Sequence, residues 1–264
     1  MRPLAWCSRP RISAVSLTET RNLPWDGLLN ARDLGGHPTA DGGETRWGSI
    51  VRADSVRQLT EEGWKAVVDY GIRTVVDLRS EQELAADPPA ELPVDAVHVS
   101  FFDERPDVFD EVEAASVGAS SHAEATREVY LIFLEHFRAN VAAAIRAVGQ
   151  APEGGVVVHC HGGKDRTGLV TAFLLRLAGV SIAEIATDYA LSEERLRTRH
   201  EQWFATAADE AELARLHRIA ATPESSMVEV LEELERRYGS IEGYLRAGGT
   251  TDEDLERARA RLRG

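Results

Sequence analysis

The residues with the clearest chemical potential lie at 156–168, where Cys160 and Arg166 are separated by a loop that contains two glycines. An apolar β-branched run precedes this loop, and an apolar helical run follows it. A strand, a tight loop and a helix in that order aim backbone N–H groups at an anion. A thiolate at a helix N-terminus near an arginine is a nucleophile, and the guanidinium matches two phosphate oxygens. The pattern predicts a cysteine-dependent phosphatase in which Cys160 and Arg166 are catalytic.

The loop between these two residues is predicted to bind the substrate phosphate. Gly162 and Gly163 allow the backbone to approach an anion closely. Lys164 is one of two lysines among 30 lysine and arginine residues, and its mobile ammonium can meet a second anionic group that a fixed guanidinium cannot reach. His161 either contacts the substrate, assists proton transfer or points to solvent. Thr167 either donates to the catalytic sulfur or bonds to the backbone at the start of the helix.

A general acid is also needed, because the leaving alcohol must gain a proton and the water that completes the cycle must lose one. Asp165, inside the loop, is the first candidate, and Asp77, at the end of a neighbouring predicted strand, is the second. Asp54 and Asp103 also follow predicted strands, but we expect them to form ion pairs or to cap turns. His159 is expected to orient the loop rather than to transfer protons.

Alternating strands and helices must position these residues. The hydrophobic pattern predicts strands at 47–52, 73–78, 94–99 and 156–159, and helices at 61–69, 125–148, 165–178 and 182–217. N-caps are predicted at Thr60, at Ser181 with Glu184, and at Thr250 with Glu253. The acidic stretch at 103–124 is expected to be a flexible excursion. The alternation predicts an α/β fold with a mostly parallel central sheet flanked by helices, in which ligands bind beyond the carboxyl ends of the strands.

One domain is predicted at 27–264, preceded by an arm at 1–26. The C-terminal region is expected to be an extended series of helices, and its first part, 182–222, is a candidate lid over the catalytic loop. Arg32 and Asp33 precede a Gly-Gly turn, and we expect them to form an ion pair that braces the loop.

The composition argues against several classes of function. A formal net charge of −14 disfavours nucleic-acid binding and stable docking on anionic membranes. No apolar run is long enough to cross a bilayer, and the N-terminus lacks the apolar core of a secretory signal. Two cysteines, Cys7 and Cys160, provide no disulfide framework. We therefore expect a cytoplasmic protein whose catalytic thiol stays reduced.

The segment 159–168 resembles the signature loop of the protein tyrosine phosphatase superfamily, which is His-Cys, five further residues and then Arg-Thr-Gly. Its filling by Gly163, Lys164 and Asp165 is similar to a bacterial branch of that family. Other segments resemble the same branch: 30–36, 52–55, 71–79 and 238–240. The branch more often has a small or apolar residue and then alanine where this chain has His161 and Gly162.

The resemblance implies a tyrosine-phosphatase-like fold and hydrolysis of phosphomonoesters through a phosphocysteine intermediate, without a metal or another cofactor. It implies substrates among phosphotyrosine, phosphoserine or phosphothreonine proteins and phosphoinositides. Three alternatives stay open. They are a phosphatase of small metabolites such as nucleotides or sugar phosphates, a non-catalytic phosphate-binding module, and a sulfur-transfer or arsenate-reducing enzyme. The acidic surface favours small substrates, whereas the intact Cys160 and Arg166 argue against the binding module.

Overall fold

The computed structural model describes residues 21–88 and 91–263, so Cys7 and most of the predicted arm at 1–26 lie outside the described residues. Five strands are present in this part of the chain: β1 (Arg32–Asp33), β2 (Ile50–Ala53), β3 (Ile72–Asp77), β4 (Asp95–His98) and β5 (Gly155–His159). The same residues form eleven α-helices: α1 (Glu61–Asp69), α2 (Glu81–Ala86), α3 (Pro106–Gly118), α4 (His122–His136), α5 (Arg138–Gln150), α6 (Asp165–Leu177), α7 (Ile182–Phe204), α8 (Glu210–Ala220), α9 (Glu224–Tyr238), α10 (Ile241–Ala247) and α11 (Asp252–Arg263).

The five strands form one sheet in the order β1-β2-β5-β3-β4. β5 pairs in parallel with β2 and β3, β3 pairs in parallel with β4, and β1 is antiparallel to β2. The predicted α/β fold with a mostly parallel central sheet and a helical C-terminal region is confirmed. Because the four parallel strands run in one direction, their carboxyl ends share one edge of the sheet.

The central strand and the helix after it are buried. All five residues of β5 are buried, as expected for an apolar β-branched run in a sheet that is covered on both faces. Helix α6 is buried over most of its length, with Leu169, Phe173 and Leu174 fully inside the main core. The loop between β5 and α6 is therefore fixed at both ends by packed apolar elements, which limits its freedom to move.

Two of the predicted helix caps are confirmed and one is wrong. The Thr60 hydroxyl accepts a hydrogen bond from Gly63 N, and the Ser181 hydroxyl accepts one from Glu184 N. In the described residues, the Glu184 side chain does not return the second bond of the predicted capping box. The predicted cap at Thr250 is displaced by one residue. Thr251 and Asp254 each accept a hydrogen bond from the other's backbone N–H, at 3.1 and 3.0 Å. Thr250 with Glu253 and Thr251 with Asp254 have the same spacing, so the sequence alone does not show which pair caps the helix.

Three segments differ from the prediction. The acidic stretch at 103–124 is not an excursion, because Pro106 opens helix α3 in a position where its missing N–H costs nothing. The single helix predicted at 125–148 is two helices that meet at Phe137, whose buried ring packs on Phe102. The helix predicted at 182–217 ends at Phe204, since Asp209 caps a new one.

The helices of the described residues include none that is both long enough and apolar enough to span a membrane.

Candidate active site

Cys160 follows β5 directly at the carboxyl edge of the sheet, and the loop after it enters α6 at Asp165. Only 2% of Cys160 is exposed, so the residue lies at the bottom of the loop. The first N–H groups of α6 have no acceptor within the helix, and they carry the positive end of its dipole. This end of the sheet is therefore suited to an anion.

The carbonyl groups of the loop are turned outward by donors from neighbouring segments. The backbone N–H of Ser55 donates to the carbonyl oxygen of His161 at 3.0 Å. The side-chain amide of Asn30 donates to the carbonyl oxygens of Gly162 and Gly163, at 3.2 and 3.1 Å. These three carbonyl groups consequently face away from the interior of the loop.

The N–H groups of the loop face the opposite way. No cis peptide occurs in the described residues, and in a trans peptide the N–H of the next residue points away from the carbonyl. The N–H groups of 162–164 therefore point into the loop, and they have no hydrogen-bond acceptor in the described part of the chain. Gly163 has a φ of 66°, and a Cβ there would lie 2.3 Å from the carbonyl oxygen of Ala53. The backbone forms a cradle for an anion above Cys160.

Arg166 is held at the rim of this cradle by a carboxylate. Both of its terminal nitrogens donate to Glu83, and Nη2 lies 2.8 Å from Oε1. The guanidinium carbon lies 5.2 Å from the ring centroid of Phe102. Burial raises the pKa of Glu83, but the hydrogen bonds and the charge of Arg166 outweigh it and lower that pKa to about 2. The planar fork of Arg166 therefore has a fixed orientation and a permanently charged partner.

Asp165 is the carboxylate of the loop that solvent can reach. Its side chain is 43% exposed, and Lys164 Nζ lies 3.4 Å from Oδ1. The Tyr130 hydroxyl donates to the same oxygen at 2.6 Å, and the Tyr189 hydroxyl lies 2.8 Å from that of Tyr130. The Tyr130 hydroxyl thus fixes the position of Asp165 Oδ1. The other oxygen, Oδ2, has no hydrogen-bond partner in the described part of the chain and can meet a ligand.

Asp77 is engaged in a different set of contacts. Arg79 Nη2 donates to its Oδ2 at 2.8 Å, and the backbone N–H of Arg79 donates to its Oδ1 at 3.0 Å. Burial raises the pKa of Asp77, but the hydrogen bonds from Arg79 outweigh that effect and bring it below its ordinary value. His159 is fully buried beside it, with Nε2 at 3.7 Å from Oδ1. These contacts are those of a structural ion pair.

The two remaining acidic candidates are also occupied. Asp54 accepts hydrogen bonds from the backbone N–H groups of Leu29 and Asn30, and it pairs with Arg199 of α7 at 2.7 Å. Asp103 accepts a hydrogen bond from Asn140 at 2.9 Å in an exposed position.

The predicted pairing of Arg32 with Asp33 is wrong. Arg32 Nε donates to Asp188 of α7 at 2.9 Å, whereas Asp33 accepts hydrogen bonds from Gly48 N and from the Tyr70 hydroxyl. The two residues are adjacent in β1, and neighbouring side chains of a strand point to opposite faces of a sheet.

Lys164 and Thr167 are both buried. The Lys164 ammonium donates to the carbonyl oxygen of Ile219, at the end of α8, so it connects the loop to the region at 182–222. The hydroxyl of Thr167 is fully buried and has no hydrogen-bond partner among the described residues. His161, by contrast, is exposed.

Three cavities border Arg166 at the rim of the loop, and two of them also border Asp165. A cavity of about 550 Å³ lies between the loop and the helices α7 and α8, and its lining includes His161, Arg166, His200 and Trp203. A smaller cavity of about 270 Å³ lies on the other side of Asp165 and Arg166, and it is largely apolar.

Several residues that fix the loop or its side chains in place were not predicted from the sequence, because they lie outside the loop and come close to it only in the folded chain. They are Asn30, Arg52, Glu83, Tyr130 and Asp188. Ser80 and Glu83 do have the spacing of a capping box, which both side chains form at α2. That pattern reveals the helix start and gives no sign of a second contact with Arg166.

Comparison with known proteins agrees with this geometry. The family model described as the tyrosine phosphatase family matches residues 23–264. A tyrosine-protein phosphatase of Nostoc commune is 27% identical over 232 residues, which is 81% of this chain and 74% of the relative. A putative tyrosine-protein phosphatase of Cupriavidus necator is 29% identical, over 96% of this chain and 90% of its own length. The triple specificity protein phosphatase PtpB of Mycobacterium tuberculosis is 28% identical, over 92% of this chain and 99% of its own length.

The matched residues span the sheet, the catalytic loop and the C-terminal helices, and they confirm the resemblance found in the loop sequence. The chain belongs to the tyrosine phosphatase family and is a cysteine-dependent phosphatase of that type.

Proposed function

We propose that the protein hydrolyses phosphotyrosine and related phosphomonoesters of proteins by attack of the Cys160 thiolate on phosphorus. The observation that carries this proposal is the cradle of inward-facing N–H groups above Cys160, closed by the fork of Arg166. Such donors match the equatorial oxygens of a transferring phosphoryl group, on which charge accumulates in the transition state.

The proposed reaction has two steps. In the first, the sulfur–phosphorus bond forms as the phosphorus–oxygen bond of the ester breaks, and Asp165 gives a proton to the leaving oxygen. In the second, a water attacks phosphorus, the sulfur leaves as thiolate, and the Asp165 carboxylate takes a proton from that water. The hydroxyl of Thr167 is buried without a partner in the described residues, which supports a donor role toward the leaving sulfur.

Asp165 is the proposed acid, ahead of Asp77. Its 43% exposure and its position between two cavities support contact with a leaving group. The side chain of Asp77 is 12% exposed and paired with Arg79, which supports a role in bracing His159 and the end of β5. Asp77 Oδ1 and Oδ2 both accept hydrogen bonds from Arg79, whereas Asp165 Oδ2 has no hydrogen-bond partner among the described residues and can meet a leaving group.

The region at 182–222 is proposed to cover the active site, within a single phosphatase domain at 27–264. Three contacts support this reading, namely Lys164 with Ile219, Arg199 with Asp54, and the lining of the larger cavity by Trp203. We propose that a cytoplasmic, reducing environment keeps Cys160 active, and that the cover limits its oxidation.

The larger cavity supports an aromatic leaving group. Its volume of about 550 Å³ and its Trp203 and His200 side chains suit a phenyl ring next to the phosphate. Phosphoserine and phosphothreonine proteins and phosphoinositides are proposed as further substrates. The mycobacterial relative is named a triple specificity protein phosphatase, which is compatible with more than one substrate class. No nucleic-acid or membrane partner is proposed.

The test is a panel of phosphotyrosine and phosphoserine peptides, phosphoinositides, nucleotides and sugar phosphates, ranked by kcat/KM for the full chain. We expect phosphotyrosine peptides to rank first, and a lead of at least tenfold for a nucleotide or sugar phosphate would show instead a metabolite phosphatase. Cys160→Ser is the matched control, because it should abolish turnover of every substrate and still bind inorganic phosphate. Turnover by that variant near the wild-type rate would contradict the proposal.

A further inference from the structure

Behind the catalytic loop lies a group of four buried polar side chains that have no role in the chemistry described so far. We call them the floor cluster: Asn30, Arg32, Arg52 and Asp188. Each is 0–1% exposed, so none is on the surface of a cavity that a substrate could enter. Burying charge is costly unless each group is paired and hydrogen-bonded, which raises the question of what this cluster does.

The cluster is built around Asp188 of α7. Its two carboxylate oxygens accept from Arg32 Nε and from Arg52 Nη1, both at 2.9 Å. Burial raises the pKa of Asp188, but the charges of the two arginines outweigh it and bring the pKa far below its ordinary value. Asp188 is therefore a permanent anion that fixes two guanidinium groups.

The two arginines contact the loop in different ways. Arg52 bonds to it directly, because its Nη2 donates to the carbonyl oxygen of Gly163 at 2.9 Å. Arg32 acts through Asn30, whose Oδ1 accepts from Arg32 Nη1 at 2.6 Å. With Oδ1 occupied by a donor, the amide nitrogen of Asn30 is left facing the loop carbonyls.

We propose that Asn30 and Arg52 are positioning residues, anchored by Asp188, that hold the loop peptides with their N–H groups toward the phosphate. This inference rests on the proposed function of the loop. Two adjacent glycines allow their peptide planes to turn over at little cost, since no side chain blocks the rotation. Hydrogen bonds from a rigid amide and a rigid guanidinium select one of the two orientations.

The position of Asp188 gives the proposal a further consequence. Asp188 and Ser192 are buried in the N-terminal half of α7, whereas Leu196, Arg199 and Trp203 line the larger cavity. The N-terminal half of α7 is thus part of the foundation of the site, and its C-terminal half covers the mouth. Movement of α7 as a unit would disturb the cradle as well as open it.

The sharpest test is Asn30→Asp, which preserves the size of the side chain and the acceptor for Arg32. It replaces the donor that faces Gly162 and Gly163 by a carboxylate oxygen, which repels their carbonyl oxygens. We expect inorganic phosphate to bind about 100-fold more weakly, and kcat/KM to fall by about the same factor for nitrophenyl and alkyl phosphates alike. The milder variant Asn30→Ala removes the donor without adding charge, and we expect a loss of about tenfold in both readouts.

Thr45→Val is the matched control. Thr45 is fully buried and makes two hydrogen bonds, to Leu34 and His37, that do not involve the loop. It should lower the melting temperature while the dissociation constant for inorganic phosphate stays at the wild-type value. If Asn30→Asp and Asn30→Ala behave like this control, with lower stability and unchanged phosphate binding, the positioning role is wrong.

The measurement of phosphate binding tests this inference separately from the proposed function. Binding of inorganic phosphate is measured calorimetrically and needs no turnover. A wild-type protein that binds phosphate and hydrolyses no ester would overturn the proposed function, and the Asn30 variants would still decide the orientation of the loop.

Discussion

The phosphate cradle has a buried side, which is the floor cluster, and an open side, which we call the mouth and which includes Glu83, Asp165 and Arg199. Different kinds of contact hold these two sides in place. The floor cluster is 0–1% exposed, and each of its charges is fixed by two or more partners. At the mouth, the side chains of Glu83, Asp165 and Arg199 are 28%, 43% and 33% exposed. Charges in a dry interior are rigid, whereas half-exposed charges adjust to a ligand. We infer that the floor cluster fixes the geometry of the bound phosphate, which all substrates share. The residues of the mouth contact the remainder of the substrate and determine substrate preference.

The largest effect in this comparison is expected at Arg166, which lies at the mouth but is proposed to bind the phosphate that all substrates share. Arg166→Lys retains the charge and loses the planar fork, which donates to both oxygens of Glu83 and is proposed to bind two phosphate oxygens. We expect kcat/KM to fall by about 100- to 1000-fold for all substrates, measured by steady-state kinetics. A loss confined to one leaving group would assign Arg166 to the mouth alone.

The next effect is expected at Asp165 and should depend on the substrate. Asp165→Asn removes the acid, which matters most when the leaving group is poor. We expect a loss of about 100-fold for alkyl phosphates, a much smaller loss for nitrophenyl phosphate, and one flattened limb of the pH–rate profile. If Asp77→Asn shows this pattern and Asp165→Asn does not, the assignment of the acid is reversed.

A smaller effect is expected at Lys164, where two roles compete. Lys164→Met keeps the buried stem and removes the ammonium that donates to Ile219. If the ammonium also meets a second anionic group of the substrate, kcat/KM should fall about tenfold for a multiply anionic substrate and less for nitrophenyl phosphate. Equal losses on both substrates would show that Lys164 serves only to tie the loop to α8.

The smallest effect concerns stability at the mouth. The Arg166 partner lowers the pKa of Glu83 to about 2, so the ion pair stabilises the folded state above the ordinary pKa of 4.5 and is lost as the pH falls toward 2. Glu83→Gln should be less stable than wild type by about 1 kcal/mol at pH 7, and this difference should shrink as the pH is lowered through that range. Urea unfolding at several pH values measures it, and a constant difference would exclude a charge effect.

The same division explains what the sequence could predict. The strand at 156–159 and the helix at 165–178 were predicted within one residue. Both are continuous apolar runs, so the sequence of each segment alone shows that it is buried. The loop between them was identified from its own residues. Where a tertiary contact decides the structure, as at the break beside the buried Phe137, periodicity alone predicted one helix instead of two.

The floor could not be derived in this way. Asp188 and Arg52 are 136 residues apart, and Asn30 and Gly163 are separated by 133. An aspartate on an amphipathic helix normally faces water, and nothing in its neighbours signals that α7 turns this one inward. The contact of Asp77 with Arg79, by contrast, joins residues only two positions apart, so the sequence did offer a hint of it.

The most direct test of the account is the identification of the covalent intermediate. The full chain is mixed with nitrophenyl phosphate, quenched in acid within the first turnovers, and digested for mass spectrometry. We expect the mass of one phosphoryl group on the peptide that contains Cys160, and none on that peptide in Cys160→Ser. Rapid turnover without a phosphorylated cysteine, or a phosphoryl group on another residue, would contradict the account.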